Sequence, residues 1–246
     1  EKVSFGQEKL FVQSAVQVAD MYKELSVSHQ KAENHTEALK AVDQAIRLRP
    51  DQPKFYLHKA DLYSEMRKPQ EMLDCLKPAI KLSPEDPKVN HRVAQALYIN
   101  GDLPGALKHA EQALSKKDSV TDENSDLAPR YLAAEISRAM LKPRQAIAYL
   151  PDKLAASGEA DQKMEQTSLQ AELALEVGDL NLAEAAAVEM RKIDAEDPRG
   201  LAVQARLASL HGDDETARRL LQTANQVLER QIVQRTGRNG KPSNYL

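Results

Sequence analysis

A period of 34 residues constrains this chain more than any other feature. The stretch from Glu37 to Asp51, EALKAVDQAIRLRPD, sets Ala38, Leu39, Val42, Ala45, Ile46 and Leu48 at the three-and-four spacing of one helix face, with charges between them and a stop at Pro50. The same grammar returns in QEMLDCLKPAIKLSPED from Gln70 and in PGALKHAEQALSKKD from Pro104. Ala38, Met72 and Ala106 are 34 residues apart, as are Ala45, Ala79 and Ala113, and Pro50 and Pro84. A fixed period of this size marks a stacked array in which each unit touches only its neighbours, so length counts repeats rather than domains. Composition points the same way: aromatics are 4% of the 246 residues, Trp is absent, and the strong helix formers dominate. An all-α fold is predicted.

Taken in order, residues 1–8 read as a lead-in and 9–234 as the helical repeat region, with units near 19–52, 53–86, 87–120, 127–160, 164–197 and 198–231. Asn34 and Thr36 are candidate N-caps for the second helix of the first unit. Pro69, Pro104 and Pro143 fall at equivalent helix starts, where proline forfeits no hydrogen bond. Gly101 reads as the left-handed residue that ends a first helix. Pro78 lies inside a second helix, where it deprives the Asp74 carbonyl of its partner at a cost of about 3 kcal/mol, and a kink is expected. Six surplus residues separate the third and fourth units within Lys116–Asp126. Asp118, Asp122, Glu123 and Asp126 make that stretch acidic, which suits a solvated loop; as a calcium site it lacks the glycine and terminal glutamate of an EF-hand. The fourth unit is the least regular, its second helix cut short by Pro151. The fifth and sixth resume the period, pairing Ala171 with Ala205, Gly178 with Gly212 and Ala183 with Ala217. The last helix is expected to overrun its unit by about two turns before a flexible tail or linker over 235–246.

These units resemble the tetratricopeptide repeat (TPR), a helix-turn-helix of 34 residues. Counting from Pro53, Tyr56 takes the fourth place, Ala60 the eighth, Tyr63 the eleventh, Ala79 the twenty-seventh and Pro84 the thirty-second. Counting from Ala19, the first unit supplies Tyr22, Leu25, Ser26, Ala38, Ala45 and Pro50; the third supplies Ala94, Leu97, Gly101, Ala106 and Ala113. Met72 at a small-residue place, and the missing tryptophan and Leu-Gly pair, depart from the pattern. The resemblance implies a superhelical solenoid of about six antiparallel helix pairs. Small residues at the crossings let two helix axes approach while bulkier ones fill the gap to the next pair.

The resemblance also implies that first helices line a concave groove through their second, fifth, sixth and ninth places. Over the first three units these are Lys23, Val27, Lys54, Leu57, His58, Asp61, Lys88, His91, Arg92 and Gln95; later units add Tyr131, Glu135, Glu172, Arg199 and Arg206. Lys23, Lys88 and Arg92 match the cationic places of the clamp with which some family members hold a chaperone C-terminal carboxylate, but Val27 and His58 stand where its two asparagines belong. A true clamp, a general groove for acidic peptides and a plain solvated helix face all remain open for this surface. His58 and His91, at groove places in adjacent units, raise the further reading of pH-sensitive or metal-assisted binding.

Catalytic readings lack support. The six histidines form no HExxH pair, no Cys/His spacing suits zinc, and there is neither a phosphate-cradling glycine loop nor a GxSxG elbow. No cofactor is called for. Cys75, the lone cysteine, lies beside Leu73, Leu76 and Ala79 and reads as a small core residue rather than a reactive thiol. A net charge of −3 gives no long-range pull on nucleic acid, and no apolar run reaches the ~18 residues of a membrane span. Two functional readings follow. One is a scaffold that holds a protein or peptide partner, acidic where it meets the cations, within a larger assembly. The other is an assembly segment resembling the periplasmic helical repeats of bacterial exopolysaccharide export proteins, to which a first residue of Glu1 rather than Met is suited as a fragment. Periplasm and cytoplasm both remain open.

Overall fold

The computed structural model describes residues 5–115, 127–150 and 160–237. Among the described residues there are twelve α-helices and no strand: α1 Phe5–Lys31, α2 His35–Leu48, α3 Pro53–Glu65, α4 Pro69–Leu82, α5 Pro87–Ile99, α6 Leu103–Ser115, α7 Leu127–Ala139, α8 Pro143–Tyr149, α9 Ala160–Val177, α10 Leu180–Ile193, α11 Pro198–Leu210 and α12 Asp214–Gly237. Helix α1 already includes residues 5–8, and α12 includes 235–237 of the stretch read as a tail. The acidic stretch at 116–126 with its calcium reading, residues 151–159 after α8, and residues 238–246 lie outside the described residues.

The chain divides into two compact units, one holding α1 to α6 and most of α7, the other α8 to α12. In the first, α1 pairs with α2, α3 with α4 and α5 with α6, while α2 packs on α3 and α4 on α5. In the second, α9 pairs with α10 and α11 with α12, while α10 packs on α11. The alternation of hairpin contact and next-hairpin contact is what the period requires. Every eighth place is a small buried residue, Ser26, Ala60, Ala94, Ala134, Ala171 and Ala205, and the twentieth place, held by Ala38, Met72, Ala106, Ala146, Ala183 and Ala217, is buried as well. Met72 is as buried as the alanines it replaces, its unbranched chain filling the cluster with Tyr56, Leu76 and Val89.

The turns inside the hairpins are equally regular. The fifteenth place of all six units has a left-handed backbone: Glu33 (φ 57°), Arg67 (φ 54°), Gly101 (φ 84°), Leu141 (φ 59°), Gly178 (φ 81°) and Gly212 (φ 80°). Asn34 caps α2 by accepting from the Glu37 N–H, and Asp86, Asp179 and Asp197 cap α5, α10 and α11 in the same way. Pro69 and Pro143 open α4 and α8, and Pro104 is the second residue of α6. Helix α4 runs unbroken from Pro69 to Leu82 through Pro78, whose place is on the half-buried side. Helix α8 ends after seven residues at Tyr149. Cys75 is half-buried, its thiol directed at the Met72 carbonyl at 3.2 Å and pushed up to about 12 by burial, which leaves it protonated and unreactive.

Candidate functional site

The surface formed by the first helices α1, α3 and α5 of the first compact unit collects the predicted groove residues. Polar pairs tie one helix of this row to the next. Lys54 of α3 donates to the Asp20 carboxylate of α1, and Gln30 of α1 donates to Glu65 Oε1 of α3 at 2.6 Å. Arg92 of α5 meets Asp61 Oδ1 of α3 at 2.9 Å and donates to Gln95 Oε1 at 2.8 Å. Burial pushes the Asp61 carboxyl above its ordinary value, a drift that Arg92 opposes and Glu65 reinforces. The row is therefore laced into one polar face before any ligand arrives.

His58 is a strut rather than an open groove residue. It is 8% exposed, and its Nε2 lies 2.8 Å from Ser26 Oγ. The Ser26 hydroxyl has one proton, which it donates to the Ala38 carbonyl at 2.8 Å, so it can only accept from His58. His58 is thereby held as the Nε2–H tautomer, joining α1, α2 and α3, and burial with Lys23 nearby lowers its pKa. His91 differs: its Nδ1 is buried and has no hydrogen-bond partner among the described residues, and burial, reinforced by Arg92, lowers its pKa to about 4. His58 bonds Ser26 and not His91, and among the described residues no group of three or more His, Cys, Asp or Glu side chains is placed to hold a metal ion.

The predicted cations are not equivalent. Lys54 and Arg92 are engaged with Asp20 and Asp61, and Lys23 reaches only its exposed neighbour Glu24 at 3.1 Å, a contact of small energetic weight. Lys88 makes no ion pair with a described residue; its backbone N–H is taken by Asp86 Oδ1 at 2.8 Å, so an incoming anion would meet the ammonium and not the helix end. In the later units Tyr131 is buried, and Glu172 is held by Arg138 at 2.6 Å beside Glu176. Arg199 folds back on Asp197 at 2.8 Å, while Arg206 is exposed beside α12.

Several site-shaping residues escape a reading of single units. Asp20 and Ser26 neutralise or orient groove residues of the next unit, and only a pairing of equivalent places across units would have found them. Asn90 spends both amide protons on the Pro84 and Asp86 carbonyls, at 2.8 and 3.0 Å, so its Oδ1 accepts from His109 Nδ1 at 2.8 Å; this joins α5 to α6.

Against known proteins, residues 53–86 match the family model described as tetratricopeptide repeat. The fold is a TPR-like helical repeat. Solved structures with this fold include PilF of Pseudomonas aeruginosa, with a TM-score of 0.68 at 16% identity, covering 84% of this chain and 90% of that one. PilW, a type IV pilus biogenesis factor, gives 0.66 at 13% identity over 83% and 90%. YrrB, a TPR protein with an unusual peptide-binding site, gives 0.58 at 14% identity over 76% and 91%. No curated protein sequence matches the chain. At such identities the likeness concerns the TPR fold alone. No described helix is long and apolar enough to cross a membrane.

Proposed function

We propose that this TPR-like protein is an interaction scaffold that holds an extended segment of a protein partner across α1, α3 and α5, with an acidic side chain of that segment at Lys88. The observation that carries the reading is the surface of α5. There Lys88 stands without an ion pair among the described residues, one turn before His91, whose buried Nδ1 has no described partner. A buried polar atom without a partner costs about 1–3 kcal/mol, which a ligand donor reaching it would recover. Lys23, held only by its neighbour Glu24, is the second cation open to exchange. The cross-helix ties fix the row in advance, so a ligand need not order it. Lys54, His58, Asp61, Arg92 and Gln95 serve this surface as its frame.

The test is fluorescence anisotropy with extended peptides graded from acidic to basic. Acidic peptides should bind best, Lys88→Glu should weaken them about ten-fold or more, and Lys54→Ala should matter less. Equal binding of all peptides by wild type and Lys88→Glu would sink the reading. No observation on the described residues favours the export-segment reading over a peptide scaffold.

A further inference from the structure

The first and last helices both leave bare the face that neighbouring hairpins cover elsewhere. On second helices the twenty-fourth place packs against the next first helix: Val42, Leu76 and Ala187 are buried there, whereas Leu221 of α12 is 49% exposed. On first helices the third place receives the preceding hairpin: Phe55 and Val89 are fully buried, whereas Met21 of α1 is 70% exposed. At the seventh place Val93 is buried and Leu25 is 46% exposed. Within the chain these places meet each other, for Leu76 and Ile80 share a cluster with Val89 and Val93. Asp43 and Lys59, at the twenty-fifth and seventh places of consecutive units, pair at 2.8 Å in the same antiparallel register.

Neither end passes the chain on by the turn used inside the array. Helices α2, α4 and α10 stop at Leu48, Leu82 and Ile193, and five residues later the next first helix begins at proline. Helix α12 instead runs on to Gly237, past the place where a seventh first helix would start, and α1 begins at Phe5, well before the place that opens α3, α5 and α11. Each bare edge is thus left for a helix that the local turn does not deliver.

We propose that the occupant is a second copy of this chain, the α12 edge of one copy docking antiparallel on the α1 edge of the next. Leu221 and Leu228 are seven residues, or two turns, apart along α12, and Leu25 and Val18 are seven apart in the opposite direction along α1. In the register of the internal contacts, Leu221 meets Leu25 and Leu228 meets Val18. Between these pairs Met21 faces Asn225, at the twenty-eighth place, and its long side chain bridges the two leucines of α12. A polar residue at that place is compatible with the packing, since Arg191 holds it in the fifth unit and α10 still packs on α11. Leu228 and Val18 are 44% and 41% exposed, so the matching stripes extend beyond one contact, into the overrunning part of each helix. The contact is heterologous, because the two surfaces differ, and continues the inter-hairpin interface already present within each compact unit.

Sedimentation equilibrium over a concentration series tests this, with wild type, Met21→Glu and Leu221→Glu. Wild type should show a weight-average mass that rises with concentration. Each variant alone should weaken association by more than about ten-fold while keeping the wild-type helical circular dichroism, since both side chains are exposed. An equimolar mixture of the two variants should form a one-to-one dimer, because each retains the edge that the other has lost. A wild type that stays monomeric, as it would if another protein or a further part of a longer chain fills these edges, overturns the proposal. So does an assembly that Met21→Glu leaves intact, which would mark pairing of α12 with itself, or a mixture that fails to associate.

Discussion

At the scale of single residues, His58, His91 and His109 are held neutral by burial. Burial lowers the pKa of His58, His91 and His109, to about 4 for His91. Unfolded histidine titrates near 6.5, so below that pH the unfolded chain binds more protons than the folded one. The stability these groups contribute is complete above about pH 6.5 and, for His91, is lost progressively as pH falls to about 4. Thermal melts should therefore drop steadily between those values, and His91→Leu should flatten the acid limb; identical limbs would show that His91 is protonated as readily in the folded protein. Ser26 makes a second prediction. The other five units have alanine at its place, yet Ser26→Ala should destabilise by about 1–3 kcal/mol, because His58 Nε2–H loses its acceptor. Adding His58→Leu to that variant should recover part of the loss in urea unfolding, as the unsatisfied donor goes with the ring.

At the scale of the element, the hairpin turn is where sequence and structure part company. Gly101 was readable as a left-handed residue because glycine adopts that backbone without penalty, and Gly178 and Gly212 share its place and its conformation. Glu33, Arg67 and Leu141 adopt the same conformation with a side chain, and nothing in their identities announces it; packing of the two helices dictates the turn and overrides residue preference. Leu141 is 88% exposed and contributes little burial, so Leu141→Gly should stabilise by about 1 kcal/mol in urea unfolding. A loss of stability would mean that the lower backbone entropy of leucine in the unfolded chain outweighs the strain. The row of polar side chains on α1, α3 and α5 was legible to a similar degree. The first-helix places could be counted from the period, but the engagement of Lys54 by Asp20 and of Arg92 by Asp61 could not, because each acid belongs to the preceding unit.

At the scale of the molecule, the period was legible because every hairpin needs a small residue at its crossing, a demand that repeats with the fold. The bare edges were not, because Leu221 shares its place with the buried Val42, Leu76 and Ala187, and Met21 with the buried Phe55 and Val89, so both look like core in a one-dimensional reading. The division into two compact units was also hidden, since it falls inside α7, between Ile136 and Ser137, where no break in the period marks it. That division has a thermodynamic consequence. In a repeat protein stability is the sum of unit terms and neighbour interfaces, and cooperativity fails where neighbour contacts thin out. Ala94 lies in the first compact unit and Ala171 in the second, each fully buried at a helix crossing, so enlarging either to leucine should overpack its own crossing by about 1–3 kcal/mol. Scanning calorimetry should then show Ala94→Leu lowering one transition and Ala171→Leu the other, with the second transition of each variant held at its wild-type temperature. Parallel displacement of a single transition by both substitutions would mean that the chain unfolds as one cooperative body and that its two compact units are not separate units of unfolding.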